Sequence, residues 1–294
     1  MKKVFKLVTV LLVITLLFTG CQSQNVTNNS TNEEGKPLKV VLLINSVLGD
    51  KSYLDSAAHG IELMKEELGD KVETKIIEMG YDNSKWEPTI MDVSEEDWDI
   101  IITGQFSMKE YVEKAALEYP DKKYIIFDTS VDYESGNFPN EASFLAGSLA
   151  AKLTNSEIVN TNEDKLIGFI GGQDIPLIND FLIGYIQGAK YVDNDIKVVT
   201  SYIGSFRDSA KGKEMALAQF NSGVDVSFNC AGQAGLGLLD AAKMEKRYAI
   251  GVDADQAMMF KDTDPEKAGY IPTSVLKNLD QTLLRAVKKH LDNT

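Results

Sequence analysis

Three carboxylates and one ammonium, each just past a run of apolar residues, are the groups in this sequence best placed for chemistry. Asp50 follows the segment LKVVLLI, Asp128 follows KYIIF, Asp253 ends YAIGVD, and Lys277 comes directly after TSVL. Asn45, Tyr53, Phe106, Phe206 and Gly232 stand in comparable positions. A carboxylate accepts two hydroxyl hydrogens at once, and an aromatic face stacks on a planar ring. Together they suit a flat, polar, neutral molecule that carries hydroxyls, with Lys277 donating to those hydroxyls and balancing Asp253. The chemistry expected is binding. No Ser-His-Asp elements stand in suitable loops, no cysteine is paired with a histidine, and no cluster has metal-ligand spacing. His59 and His290 fall inside helical patterns. Neither an enzyme, a metal nor a cofactor is expected.

Each of these residues also has a plainer role open to it. Asp50 can cap the helix that follows, and Tyr53 can belong to a core. Phe206 comes after Gly204-Ser205 in a loop, a poor place for a core anchor, which favours a functional role. Gly232, Gly235 and Gly237 do not follow the order of a dinucleotide-binding fingerprint. They read instead as permitting close backbone approach to a ligand and tight helix packing. Cys230 reads as a small buried residue at a strand end rather than a nucleophile.

The elements that position these residues alternate. Leu38–Ile44 is a continuous apolar run, as expected of a strand buried on both faces of a parallel sheet. A helix carries Leu54, Ala57, Ala58, Ile61, Met64 and Leu68 and ends near Gly69, with Ser52-x-x-Asp55 resembling a capping box at its start. Strands are predicted over 72–79, 99–103 and 123–127, with helices over 84–95 (interrupted by Pro88) and 107–118. Residues 130–140 read as an irregular crossover. A helix rich in small residues over 141–153 follows. A second series has strands over 166–170, 197–202, 224–229 and 248–252, separated by helices over 177–192, 208–221 and 236–246. A returning strand over 273–276 and an amphipathic helix over 279–291 close the chain. Repeated βα units imply right-handed crossovers and parallel sheets. The fold class is α/β in two similar lobes, residues 37–135 with 274–294 forming the first and 136–273 the second.

The chain of 294 residues is comfortable for two domains. Its net charge of −14 and lack of a basic stripe argue against a nucleic-acid partner. Residues 1–20 read as a signal peptide: Lys2, Lys3 and Lys6 precede an apolar run over 7–18 that is short for a bilayer span. Phe18-Thr19-Gly20-Cys21 resembles a bacterial lipoprotein signal, with Cys21 as the lipidated (palmitate-bearing) mature N-terminus. Residues 21–36 are too polar to fold and read as a disordered tether. The expected location is the extracytoplasmic face of the cell membrane, lipid-anchored.

Longer segments carry a family resemblance. Gly49-Asp50-Lys51-Ser52-Tyr53, Tyr119-Pro120-Asp121-Lys122-Lys123-Tyr124 leading to Asp128, Glu141-Ala142-Ser143-Phe144-Leu145-Ala146-Gly147 and Gly168-Phe169-Ile170-Gly171-Gly172 come first. Gly204-Ser205-Phe206-Arg207-Asp208, Ala231-Gly232 and Ala249-Ile250-Gly251-Val252-Asp253-Ala254-Asp255-Gln256 follow in order. In these the chain resembles the basic-membrane-protein family of bacterial lipoproteins, substrate-binding components of nucleoside ABC importers. The resemblance implies a two-lobed periplasmic-binding-protein type I fold closing over a nucleoside, a purine nucleoside favoured, and an ABC permease as partner of a monomer. It implies that Tyr53 and Phe206 sandwich the base, that Asp50 and Asp128 read its edge, and that Gly232, Asp253 and Lys277 hold the ribose. Asn45, Gly49, Tyr53 and Leu54 depart from the family's Asp, Asn, Phe and Asn, all on the base-reading side. The family's glycine-rich C-terminal strand is not found before Thr294. These departures motivate an alternative: a sensory or regulatory lipoprotein of the same fold with altered ligand binding.

Overall fold

The computed structural model describes residues 35–129, 138–156 and 158–292. The signal segment, Cys21, nearly all of the tether and most of the expected crossover lie outside the described residues. In chain order the strands are β1 (Leu38–Ile44), β2 (Val72–Glu78), β3 (Ile100–Gly104), β4 (Lys123–Phe127), β5 (Leu166–Gly171), β6 (Lys197–Tyr202), β7 (Val226–Cys230), β8 (Tyr248–Asp253) and β9 (Thr273–Leu276). The helices are α1 (Tyr53–Leu68), α2 (Trp86–Glu95), α3 (Lys109–Glu118), α4 (Phe138–Thr154), α5 (Pro176–Val192), α6 (Ser209–Asn221) and α7 (Leu236–Glu245). The short α8 (Gln256–Phe260) and α9 (Pro265–Ala268) precede the last helix, α10 (Leu279–Leu291).

The strands form two all-parallel sheets, ordered β2-β1-β3-β4 and β6-β5-β7-β8-β9. Alternate side chains of β1 explain its unbroken apolar run. Val40, Leu42 and Ile44 pack under α1 and α10, while Val41 and Leu43 face α2 and α3. The second sheet is covered in the same way. Phe169, Phe228 and Tyr185 form an aromatic cluster under α4 and α5, and α6 and α7 close the opposite face. The small residues of α4 serve close packing as expected. A Cβ on Gly147 would lie 2.0 Å from the Tyr185 carbonyl oxygen, and one on Gly188 would lie 1.8 Å from that of Phe144.

Several expectations shift. Pro88 does not interrupt a helix, because a 3-10 turn over Asn83–Lys85 delays the start of α2 to Trp86 and leaves Pro88 in its first turn. There a missing N–H costs nothing. The capping box is not formed. Ser52 is the N-cap but makes no side-chain cap bond, and Asp50 accepts from the backbone N–H groups of Ser52, Leu54 and Asp55 instead. β9 pairs with β8, so residues 274–276 belong to the second sheet rather than the first lobe. The chain crosses at Lys277-Asn278, and only α10 returns to the first lobe, against α1.

Candidate functional site

Among the described residues, all nine strands end toward one cavity of about 370 Å³ between the sheets. This is where open parallel sheets bind ligands, and the volume is that of a small-molecule site. From the first lobe come Asp50 and Tyr53 after β1, Asn83 and Trp86 after β2, Gln105, Phe106 and Ser107 after β3, and Asp128 after β4. The second lobe supplies Gln173 after β5, Phe206 and Arg207 after β6, Gly232 and Gln233 after β7, Asp253 at the end of β8, and Lys277 after β9.

The cavity has a charged end where β4, β8 and β9 finish. Lys277 pairs with Asp128, and the Lys277 backbone N–H donates to the Asp253 carbonyl at 3.0 Å. Ser52 Oγ reaches across from the first lobe and donates to Asp253 Oδ2 at 2.5 Å. Beside it, Gln256 Nε2 donates to the Lys51 carbonyl at 3.0 Å. Burial pushes the Asp253 carboxyl above the usual range, against the opposing pull of Lys277 and of the Ser52 hydroxyl. Asp128, Asp253 and Gln105 hold φ of +57°, +66° and +72°, a left-handed backbone that side chains adopt at a cost. Three wall residues are thus turned inward by strained strand ends.

Tyr53 lies against this charged end. Its ring centroid is 5.4 Å from that of Phe127, and Lys277 Nζ sits 5.3 Å from its centre. It is both core and cavity wall, so the two roles open to it coincide. Its hydroxyl is buried without a hydrogen-bond partner among the described residues, and burial raises its pKa well above that of a free phenol. The opposite end, where β2 and β6 finish, is aromatic. The Phe206 ring lies where a Cβ on Gly172 would be, 2.3 Å from its Cδ1, so Gly172 is the seat of that ring. Gly232, at φ +54°, sits beside Phe206, and Phe106 stays half-exposed on the facing wall.

Two of the expected ligand residues are engaged elsewhere. Asn45 is buried behind the wall rather than in it, and its amide donates to Gln105 Oε1 at 2.8 Å and Ser107 Oγ at 3.1 Å. It positions two residues that do line the cavity. Asp50 reaches the wall, but both its oxygens accept from the start of α1, at 3.0, 2.9 and 3.0 Å. Burial outweighs these donors and raises its pKa to about 6. Asp128, expected to read a base edge, is paired with Lys277 at the charged end. Cys230 is free, buried and on the wall, its thiol pushed up first by burial and then by the Asp253 charge. That disfavours a thiolate.

Sequence reasoning missed Ser52, Gln105, Ser107, Arg207 and Gln233. Ser52 and Arg207 fall inside the resembling segments; beyond that Ser52 carried only the capping-box pattern, and Arg207 carried no other signal. Arg207 Nη2 donates to the Asn45 carbonyl at 3.4 Å, and its guanidinium lies 4.4 Å from the Tyr81 ring centre. Tyr81 in turn donates to Gln233 Oε1 at 3.3 Å. Among the described residues, no helix is long and apolar enough to cross a membrane.

Comparison with known proteins agrees with this architecture. The family model described as ABC transporter substrate-binding protein PnrA-like (Bmp) matches residues 38–294. Basic membrane protein A of Borreliella burgdorferi is 29% identical, over 97% of this chain and 80% of its own. The ABC transporter nucleoside-binding protein BmpA of Lactococcus lactis is 30% identical, over 95% of this chain and 82% of its own. Among solved structures, an ABC transporter solute-binding protein from Aeropyrum pernix superposes with a TM-score of 0.76 at 29% identity, over 87% of this chain and 71% of that one.

Proposed function

Because the chain belongs to the Bmp family of PnrA-like ABC transporter substrate-binding proteins, we propose that it captures a nucleoside, a purine nucleoside favoured, between its lobes for an ABC permease. The observation that carries this reading is the polarity of the cavity: Asp253, Asp128 and Lys277 at one end, Phe106 and Phe206 toward the other. Asp253 can accept from both ribose hydroxyls and Lys277 can donate to them, a pairing suited to a diol. Phe106 and Phe206 offer ring faces to the base, and Tyr53 closes the wall at the sugar end. That a relative of 30% identity is named a nucleoside-binding protein supports the same reading.

In this reading the ribose hydroxyl takes the place of Ser52 Oγ on Asp253, so lobe contact and ligand contact share one acceptor. Anchoring through lipid on Cys21, outside the cytoplasm and as a monomer, completes the proposal. Labelling with a palmitate analogue in wild type, and its loss in Cys21→Ala, tests the anchor.

Titration calorimetry with inosine, adenosine, uridine and cytidine tests the binding. At least one nucleoside is expected to bind in the micromolar range or tighter. Asp253→Asn is expected to weaken it about 100-fold, since it weakens charge-assisted bonds to two hydroxyls. Ribose-free bases are expected to bind far more weakly. Wild-type protein that binds no nucleoside below millimolar concentration overturns the reading.

A further inference from the structure

Arg207 and Lys277 stand at opposite ends of the cavity, because β6 and β9 are the two edges of the second sheet. Four strand spacings separate those edges by roughly 19 Å. The two cations are held differently. Lys277 is ion-paired to Asp128, whereas Arg207 forms no ion pair with any described residue. The guanidinium is nevertheless fixed in place. It lies 4.4 Å from the centre of the Tyr81 ring, and Nη2 donates to the Asn45 carbonyl at 3.4 Å. Its own backbone N–H donates to Ser205 Oγ at 3.0 Å, which sets the loop. Tyr81 and Asn45 belong to the first lobe, so the arginine spans the cleft at the rim where β2 and β6 end. Among the described residues, the one acceptor of its side-chain N–H groups is the Asn45 carbonyl, and the residue lines the cavity wall.

A guanidinium is always charged and only donates. Stacking on an aromatic ring holds its plane, which a flexible ammonium cannot reproduce. A ligand group facing it must accept. We propose that Arg207 is a specificity-determining residue that donates to a carbonyl oxygen on the ligand's base, so that oxo-bearing bases are held in preference to their amino-bearing counterparts. This rests on the nucleoside reading, with the sugar at Asp253 and Lys277 and the base toward Phe206. An amino group would set donor against donor in a closed cleft, leaving both without partners.

The matched pairs inosine with adenosine, and uridine with cytidine, exchange an oxo for an amino substituent and test this by calorimetry. Wild type is expected to favour inosine and uridine by about tenfold or more. Arg207→Met keeps length without donors and is expected to bring both pairs to within about threefold, with an unchanged melting temperature. Arg207→Lys keeps the charge and a donor but loses the planar fork, and is expected to keep only part of the preference. Tyr81→Leu, acting from the other lobe, is expected to weaken it by freeing the guanidinium plane. Preference retained in Arg207→Met overturns the assignment, and preference unchanged in Tyr81→Leu overturns the role given to stacking. Wild type that binds all four nucleosides alike overturns this inference and leaves the nucleoside reading standing. Wild type that binds none overturns both.

Discussion

Asp50 shows how a carboxylate can stand on a cavity wall and still be engaged by its own chain. Its two oxygens hold three N–H groups at the start of α1, and its pKa of about 6 reflects burial winning over those donors. The consequence is a falling stability with pH. Between the unfolded value of 3.8 and about 6, the unfolded chain releases the proton while the folded protein keeps it. The folded state therefore loses stability as pH rises through that window, by at most about 3 kcal/mol. Asp50→Asn cannot titrate. Urea denaturation at pH 4, 5 and 6 is expected to show wild type losing stability relative to this variant as pH rises; a gap that stays constant refutes it. At this scale the residue types were legible and their partners were not. Asn45 looked like a ligand residue because it follows a strand, yet its amide faces Gln105 and Ser107.

The elements owe their placement to close helix contacts as much as to apolar faces. The Gly147–Gly188 approach brings α4 and α5 together so tightly that neither glycine has room for a methyl group. Gly188→Ala is expected to cost about 3 kcal/mol, at the upper end of overpacking penalties, because the obstacle is backbone rather than a flexible side chain. Its urea midpoint should fall with the m-value unchanged. Strands such as β1 were plain in the sequence, since a run apolar on both faces has few other uses. Helix starts were less so. α2 begins at Trp86 because a 3-10 turn comes first, and α1 is capped from Asp50 because Ser52 turns away to Asp253.

Among the described residues each sheet carries apolar clusters on both of its faces, and α10 returns to one face of the first sheet. Leu283 and Leu284 of α10 pack with Leu54 and Ile61 of α1. Leu283→Ala is expected to cost about 2–5 kcal/mol. Hydrogen exchange should speed in β1 and β3, with β5 and β7 much less affected; equal loss in both sheets would show that the lobes unfold as one unit. What the sequence by itself determined was the α/β alternation, the two lobes and the post-strand positions that carry polar or aromatic side chains. These follow from periodicity, which is local. Only the tertiary structure decided that Ser52 meets Asp253, that Lys277 meets Asp128, that Arg207 lies over Tyr81 and that β9 joins the second sheet. Each of these joins parts of the chain distant from one another or turns on a loop's φ angle. Such contacts arise only when packed sheets bring strand ends together, and local residue patterns do not encode that meeting.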